Sequence, residues 1–182
     1  MFSFKVDEKI EIQLFQQEHK NELFSLIDKN REHLRKWLLW VDKRQSPEGL
    51  EPVISAWLTN YANNNGFDGG IRYNGTLVGM IGLHYIDWKN RATSIGYLLA
   101  ENAQGKGIMT KTVRALANYL FEKLNLNRIE IQAAVNNVKS LAIPRRLGFT
   151  EEGIKREGQW LYDHYEDLIL FSMLKSDWKQ LK

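Results

Sequence analysis

The sequence predicts a mixed α/β domain (an α+β mixed sheet), in which antiparallel strands share a sheet with a strand reached through a crossover helix. Two observations predict this class. Short segments with apolar residues at every second position are interspersed with longer segments that have apolar residues at helical spacing. These strands and helices do not alternate regularly, which argues against a doubly wound fold. With 182 residues, 43% of them hydrophobic, the chain has the size of one domain, and we expect a single domain over residues 1–182.

The predicted elements number seven strands and four helices. In chain order they are strand 9–14, helix 19–30, a helix from Ser46 to the polar stop at Asn63, strands 67–73, 77–84 and 91–99, helix 106–123, strand 128–135, helix 140–147, and strands 149–159 and 165–173.

Local chemistry justifies the elements of the first half. The first strand alternates polar and apolar residues, and the first helix carries an apolar stripe. Ser46 and Pro47 resemble an N-cap followed by proline at the first helical position, which predicts the start of the second helix. Asn74 and Gly75 separate two apolar segments and tolerate the positive φ angles of a type I′ turn, so they predict a hairpin.

The second half is justified in the same way. Apolar residues lie on one face of segment 106–123, and glycines 105 and 107 flank its first residue. This pattern predicts a helix entered directly from a strand and a short loop. Segment 128–135 alternates as a strand does. Gly148 is a plausible C-cap for the short helix before it, and two final strands complete the chain.

Composition limits the classes of function. The formal net charge is only +3, from 25 Lys and Arg against 22 Asp and Glu, so charge gives little support for nucleic-acid binding. There are no cysteines, which excludes a cysteine nucleophile, so any thiol chemistry must come from a cofactor. The charged N-terminus lacks an apolar leader and no apolar stretch could span a bilayer, so we expect a soluble, cytoplasmic protein without a membrane partner. The histidines and carboxylates show no metal-ligand spacing, and no metal is predicted.

The strongest chemical signal is the junction Leu98-Leu99-Ala100-Glu101-Asn102-Ala103-Gln104-Gly105-Lys106-Gly107-Ile108-Met109-Thr110. Glycines at a helix start let the backbone approach a ligand closely, and the unpaired N–H groups and the helix dipole favour an anion such as pyrophosphate. Lys106 would add a full positive charge. A glycine pair alone equally fits an ordinary tight turn, because it lacks the spacing of a Walker A loop or a dinucleotide fingerprint.

A second motif, together with this junction, makes a family resemblance recognisable. It reads Asn137-Val138-Lys139-Ser140-Leu141-Ala142-Ile143-Pro144-Arg145-Arg146-Leu147-Gly148-Phe149. Together the two motifs resemble the cofactor-binding motifs of the GCN5-related N-acetyltransferase (GNAT) superfamily, and segments 34–40 and 152–178 resemble its RimJ/RimL-like ribosomal-protein branch. Asn102 departs from the Arg or Gln that usually occupies the first position of the phosphate motif, although Gln104 directly precedes the first glycine.

The resemblance implies the GNAT fold, a mixed and splayed sheet of about seven strands flanked by about four helices, with acetyl-CoA as cosubstrate. It implies that the backbone of Leu98, Leu99 and Ala100 pairs with the pantetheine arm and that Asn137 and Ser140 line the thioester end. It also implies a pyrophosphate site formed by Gln104, Gly105, Lys106, Gly107, Ile108, Met109 and Thr110.

Three residues are candidates for the chemistry of acetyl transfer. The resemblance suggests that Ser140 hydrogen-bonds or protonates the coenzyme sulfur, although a serine there could also help to cap its helix. Glu101 comes directly after the strand expected to bear the thioester and is the leading candidate for a general base, or else a solvated loop carboxylate. His84 could face the cleft and contact substrate, or could be a hydrogen-bonded structural residue.

Aromatic and acidic residues are candidates for the acceptor site. Trp37 and Trp40, with Trp160 and Tyr162, could shape an acceptor pocket, but core packing is the better explanation for each. Asp163 and Asp167 could bind a cationic amine, and for Asp163 a structural role in the turn is favoured.

Three functions remain open from the sequence. The first is acetylation of a protein N-terminus, such as that of a ribosomal protein, as the branch resemblance implies. The second is acetylation of a small amine such as a polyamine, an amino sugar or an amino-acid derivative, because acceptor specificity resides in variable loops. The third is a non-catalytic acyl-CoA-binding module. An exposed strand or aromatic surface near the C-terminal hairpin could also support a homo-oligomer.

Overall fold

The computed structural model describes residues 3–180, so Met1 and Phe2 of the charged N-terminus lie outside the described residues. The strands are β1 (Ser3–Lys5), β2 (Ile10–Leu14), β3 (Phe67–Tyr73), β4 (Thr76–Asp87), β5 (Ala92–Leu99), β6 (Arg128–Ala134), β7 (Thr150–Leu161) and β8 (His164–Leu174). The α-helices are α1 (Lys20–Lys29), α2 (Arg31–Leu34), α3 (Glu51–Ala62), α4 (Ile108–Glu122), α5 (Val138–Arg146) and α6 (Lys175–Gln180). The sequence did not predict β1, α2 and α6, because elements this short carry too few residues for a period to appear.

The sheet is mixed, as predicted. Its strand order is β1-β2-β3-β4-β5-β6-β8-β7. Strands β1 to β4 pair antiparallel, β5 and β6 pair parallel, and β8 pairs antiparallel with both β6 and β7. The parallel register runs from Ala92 opposite Arg128 to Ile95 opposite Ile131, whereas β5 continues to Leu99 and β6 to Ala134. Pairing that stops before the strands end is the expected property of a splayed sheet.

The chain forms two compact units. The first runs up to Leu83 and includes Tyr97–Ile108. In this unit every second side chain of β2 is buried. The Arg72 guanidinium on β3 forms a two-point ion pair with Glu22 of α1. The Nε of Arg72 also donates to Gln13 Oε1 of β2. Its fully buried core includes Phe15, Leu23, Ile27, Ile54, Ile71 and Ile81.

The second unit consists of His84–Gly96 and the chain from Met109 onwards. The apolar face of α4 is buried, and the indole of Trp178 on α6 donates to Asn118 Oδ1 of α4 over 2.8 Å. Arg128 of β6 makes ion pairs with Glu130 and with Glu152 of β7, which also accepts the hydroxyl of Ser172 on β8. These contacts tie neighbouring strands together at one end of β6.

Turn and cap chemistry explains where several elements begin and end. Asn74 and Gly75 have φ angles of 50° and 80°, so the predicted hairpin turn is confirmed. The helix predicted from Ser46 starts later, because residues Glu48–Leu50 form a 3₁₀ turn and α3 begins at Glu51 with a proline in its first turn. Gly148, with φ 77°, comes directly after the C-cap of α5, as predicted.

Candidate functional site

The predicted phosphate turn has the geometry that close approach of an anion requires. A 3₁₀ turn, Glu101–Ala103, comes after β5, and α4 begins at Ile108. Gly105 and Gly107 have φ angles of 75° and 72°, and no atom lies within 4 Å of a Cβ placed on either residue. The positive φ angles disfavour other residues, and the open space and the start of a 15-residue helix fit a bound phosphate.

The segment expected to pair with the pantetheine arm lies against β4. Leu98 and Ala100 are buried, and Leu99 is half-buried. The N–H of Ala100 donates to the carbonyl of Val78 over 2.8 Å. A Cβ placed on Gly79 would lie 2.4 Å from the carbonyl oxygen of Leu98, so only glycine allows the two backbones to come this close.

The junction between α1 and α2 holds the loop that precedes the phosphate turn. Asn30 uses both ends of its amide: Nδ2 donates to the carbonyl of Leu26 over 2.8 Å, and Oδ1 accepts the backbone N–H of Glu101 over 2.9 Å. Nearby, Nε2 of Gln104 lies 2.9 Å from Nε2 of His33. Asn30 and His33 were not predicted, because they lie 71 residues before their partners and belong to no motif.

Two cationic side chains, Lys106 and Arg146, bear on the predicted pyrophosphate segment, residues 104–110. The Lys106 ammonium is 5.9 Å from the ring centroid of Tyr73, so its charge lies over an aromatic face. The Arg146 guanidinium of α5 donates to the hydroxyl of Thr110, in the first turn of α4, over 2.9 Å. Ile108 and Met109 are buried, so only their backbone groups are suited to a ligand. Arg146 was not predicted as a site residue, and the only signal for it was a second arginine before Leu-Gly-Phe.

Asn137 is the N-cap of α5. Its Oδ1 accepts the backbone N–H of Ser140 over 3.2 Å, while Ser140 itself lies inside the helix. Asn137 thus supplies a side-chain cap for α5, and the role of the Ser140 side chain stays a prediction. Pro144, four residues further on, has no N–H to donate to the Ser140 carbonyl, so the cap by Asn137 matters more for this turn of the helix.

Glu101 and His84 have different environments. The side chain of Glu101 is exposed, and only its backbone is held, by Asn30. His84 lies within β4 instead of ending it, with Nδ1 3.2 Å from Ser94 Oγ and Nε2 2.4 Å from a Cβ placed on Gly96. Part of the residue is exposed, but the ring lies on the β5 backbone, and this burial lowers the pKa of His84. The ring is thus neutral at neutral pH.

The aromatic candidates are distributed over both units. Trp37, in the turn after α2, and Trp40, in a 3₁₀ turn, are half-buried in the first unit. In the second unit Trp160 is 47% exposed and packs edge-on against Tyr165 at 4.8 Å, while Tyr162 lies in the hairpin turn with φ 58°.

The two aspartates of the C-terminal hairpin make internal contacts. The Asp163 carboxylate pairs with His164 Nδ1 over 2.7 Å, and its own backbone N–H donates to the Leu161 carbonyl. Asp167 Oδ1 accepts the N–H of Glu157, at the irregularity where β7 bulges against β8. Both contacts stabilise the hairpin, in line with the structural role favoured for Asp163.

A carboxyl group that the sequence did not single out lies inside the first unit. Asp68 of β3 is opposite Gly82 of β4, and a Cβ placed on Gly82 would be 2.3 Å from its Oδ1. Burial raises the pKa of Asp68 to about 7. Within the part of the chain that the structure describes, no group of three or more His, Asp or Glu residues could hold a metal ion, and no helix is long and apolar enough to cross a membrane.

Most of the chain matches a known protein family. Residues 9–150 match the acetyltransferase (GNAT) domain. This range contains both the phosphate turn at the start of α4 and the whole of the second motif, residues 137–149.

Relatives match over nearly the full length. The chain is 43% identical to the Bacillus subtilis (strain 168) protein YdaF, whose name describes it, provisionally, as a ribosomal N-acetyltransferase, over 98% of each chain. Among solved structures, RimL, a ribosomal L7/L12 α-N-protein acetyltransferase in complex with coenzyme A, superposes with a TM-score of 0.93 at 25% identity over 97% of this chain and 99% of that one. The microcin C7 self-immunity acetyltransferase MccE, in complex with acetyl-CoA and AMP, superposes with a TM-score of 0.90 at 27% identity over 94% and 95%.

Proposed function

Because the chain belongs to the GNAT acetyltransferase family and is an N-acetyltransferase, we propose that its acceptor is the N-terminal α-amine of a protein, such as a ribosomal protein. The observation that carries this proposal is the match, over almost the whole of both chains, to an α-N-protein acetyltransferase of ribosomal L7/L12. We further propose that residues 1–182 act as a single domain and that the enzyme works in the cytoplasm.

Acetyl-CoA supplies an activated acyl group as a thioester, with a thiol as leaving group. We assign its pyrophosphate to the turn of Gly105 and Gly107 and the first N–H groups of α4, because these groups are open and carry the positive end of the helix dipole. Arg146, hydrogen-bonded to Thr110 in the same first turn, adds a cation. The backbone of residues 98–100 is assigned to the pantetheine arm.

Ser140 is proposed to donate a hydrogen bond to the departing sulfur. Its backbone N–H is fixed by the Asn137 cap, so the start of α5 is held rigid and the hydroxyl is presented from a helix instead of a loop. A donor held in place stabilises developing negative charge without reorganisation during the reaction.

The chemistry of the acceptor supports an α-amine. An α-amino group has a pKa of about 8, so a useful fraction is neutral at pH 7, whereas a lysine side chain near 10.4 must lose its proton at much greater cost. An enzyme with a weak base can therefore acetylate N-termini efficiently. In the first unit, the half-buried Trp37 and Trp40 are proposed as contacts for the acceptor. In the second unit, His84 is proposed separately as an acceptor contact.

A small-molecule amine is the second candidate acceptor. It is favoured by the match to MccE, whose structure contains AMP and whose name refers to microcin C7 rather than a ribosomal protein. The shared scaffold fits both classes, since loops outside the coenzyme segment determine the acceptor.

The deciding experiment is an acetylation panel with the purified enzyme. Stripped ribosomal proteins and peptides with free N-termini are compared with polyamines, amino sugars and amino acids, and products are identified by intact mass and fragmentation. We expect acetylation on the α-nitrogen of one or a few ribosomal proteins. Faster turnover of any small amine than of every peptide would contradict the proposed acceptor. Binding of acetyl-CoA in calorimetry without turnover of any amine would instead indicate a non-catalytic acyl-CoA-binding module.

A further inference from the structure

Asp68 lies on a central strand with its carboxyl group largely removed from water. On β3 it is opposite Gly82 of β4, and its backbone carbonyl accepts the N–H of Phe15. Because a Cβ on Gly82 would be 2.3 Å from Asp68 Oδ1, the carboxyl lies directly on the β4 backbone at a place where only glycine leaves room. Asp68 as a whole residue is partly buried.

Aromatic side chains lie on the elements next to Asp68 in the first unit. Phe67, its neighbour on β3, contacts the ring of Tyr61 on α3. The ring of Phe15 contacts Trp57 of α3 and His19 of the first 3₁₀ turn. The elements next to Asp68 also carry titratable groups, among them His19, Glu51, Tyr61 and Arg72, but the cause of the raised pKa of Asp68 is burial.

No ion pair or hydrogen bond to the Asp68 carboxyl is found among residues 3–180. Removing an ionised carboxylate from water without compensation is unfavourable, and burial alone raises the pKa of Asp68 to about 7. About half of the molecules then carry the carboxylate at neutral pH. A group that loses and gains a proton near the working pH has the properties of an efficient general base.

The same strand connects Asp68 with the segment assigned to the coenzyme. Gly79, three residues before Gly82 on β4, lies against the Leu98 carbonyl, and Val78 accepts the N–H of Ala100. Three residues of a strand span about 10 Å. Strand β4 therefore contacts both the Asp68 carboxyl and the segment assigned to the coenzyme.

We propose that Asp68 is the general base that takes a proton from the ammonium group of the acceptor. This rests on the proposed function. The N–H bond of the ammonium breaks, its proton moves to a carboxylate oxygen of Asp68, and the lone pair left on nitrogen attacks the thioester carbonyl carbon. The C–S bond then breaks with its electron pair on sulfur. The second proton leaves the attacking nitrogen and, through solvent, protonates the sulfur to give the thiol, and Asp68 returns the first proton to solvent.

Kinetics of Asp68→Asn test the proposal. The isosteric change is expected to lower kcat/KM at pH 7 by about 10²- to 10⁴-fold, the usual contribution of a general base. The dissociation constant for acetyl-CoA, measured by calorimetry, should not change. The defect should shrink as the pH rises to 9, and it should shrink at pH 7 for acceptors whose amine is already neutral. Asp177→Asn, an exposed aspartate of α6, is the matched control and should behave as wild type.

A stability measurement gives a readout that does not depend on turnover. The wild type must ionise a buried carboxyl as the pH rises from about 4 to 7, and the Asn variant does not. The melting temperature of Asp68→Asn relative to wild type should therefore increase between pH 4 and pH 8, while that of Asp177→Asn should not.

Specific results would overturn the proposal. A loss of activity that is equal at all pH values and for all acceptors would indicate a structural role, and retained activity at pH 7 would exclude Asp68 as the base. Either result leaves the proposed function intact if the wild type acetylates peptides. Absence of turnover by the wild type with every amine would overturn both.

Discussion

At the scale of single residues, Asn137 caps the start of α5, and Ser140 is proposed to hydrogen-bond the coenzyme sulfur. The Asn137 side chain caps the helix by accepting the backbone N–H of Ser140. The hydroxyl of Ser140, in the second cofactor motif, is the group that we propose to hydrogen-bond the coenzyme sulfur.

Replacing Ser140 by alanine tests this role. We expect Ser140→Ala to lower kcat by about 10- to 100-fold, because a hydrogen bond to the departing thiolate is lost, with little change in acetyl-CoA affinity. Turnover at saturating substrates and calorimetric binding are the measurements, and Ser176→Ala on α6 serves as the control. Full activity of the Ser140 variant would remove the residue from the mechanism.

Glu152 offers a test of electrostatic stability. Hydrogen bonds from Arg128 and from the Ser172 hydroxyl lower the pKa of Glu152 to about 2. A carboxyl group whose pKa is depressed on folding stabilises the protein above its unfolded pKa, and this contribution is lost as the pH falls toward the folded pKa.

We therefore expect Glu152→Gln to lower the free energy of unfolding at pH 7. With a third of the side chain exposed, the loss is roughly 1 to 2 kcal/mol, and it should fade between about pH 5 and pH 2. Urea unfolding across this range measures it, with Glu151→Gln, whose partner Arg145 is half exposed, as the comparison. A difference between variant and wild type that does not depend on pH would contradict the assignment.

At the scale of elements, the loop between β5 and α4 is supported from outside. Its shape depends on the two glycines with positive φ, but its position depends on Asn30 and His33 at the junction of α1 and α2. The same stretch of chain continues into Trp37 and Trp40, the proposed acceptor contacts. Under the proposed function, one short segment supports the coenzyme loop and also contacts the acceptor.

Gly107→Asp tests the phosphate turn. The change should weaken acetyl-CoA binding at least about 100-fold, because it places a strained side chain and a negative charge where a phosphate is expected. Calorimetric titration measures the affinity. Gly75→Asp, at an equally positive φ in the β3–β4 hairpin, controls for backbone strain and should bind normally. Unchanged affinity in a folded Gly107 variant would place the coenzyme elsewhere.

At the scale of the whole molecule, the chain combines a small net charge of +3 with a local cationic arrangement at the start of α4. Under the proposed function, we therefore expect attraction of the coenzyme to depend on a few placed groups instead of an overall basic surface.

Coenzyme binding should stabilise the whole fold. A ligand present at about 100 times its dissociation constant stabilises the folded state by about 2.7 kcal/mol, which for a chain of this size raises the melting temperature by roughly 5 to 10 °C. Thermal unfolding with and without acetyl-CoA measures this shift, and adenosine 3′,5′-bisphosphate should give a smaller one. A shift that persists in Gly107→Asp would mean that the ligand binds outside the phosphate turn.

The sequence by itself determined what depends on neighbouring residues. Asn74-Gly75 specifies its turn because both residues tolerate positive φ, and the glycine pair before α4 specifies an open helix start for the same reason. Period-two and helical patterns located the longer strands and helices, since one face of each is buried. Very short elements such as α2 were not predicted, because four residues form little more than one helical turn.

Only the tertiary structure decided which distant groups meet. Asn30 holds the Glu101 backbone, Arg146 reaches Thr110, and the Asp68 carboxyl is buried against Gly82. None of these pairs has a local spacing that could reveal it, because each is set by how strands and helices pack, and packing is determined by the burial of the whole apolar core. The raised pKa of Asp68 results from such burial. Asp68 could therefore be identified as a candidate base only from the assembled sheet.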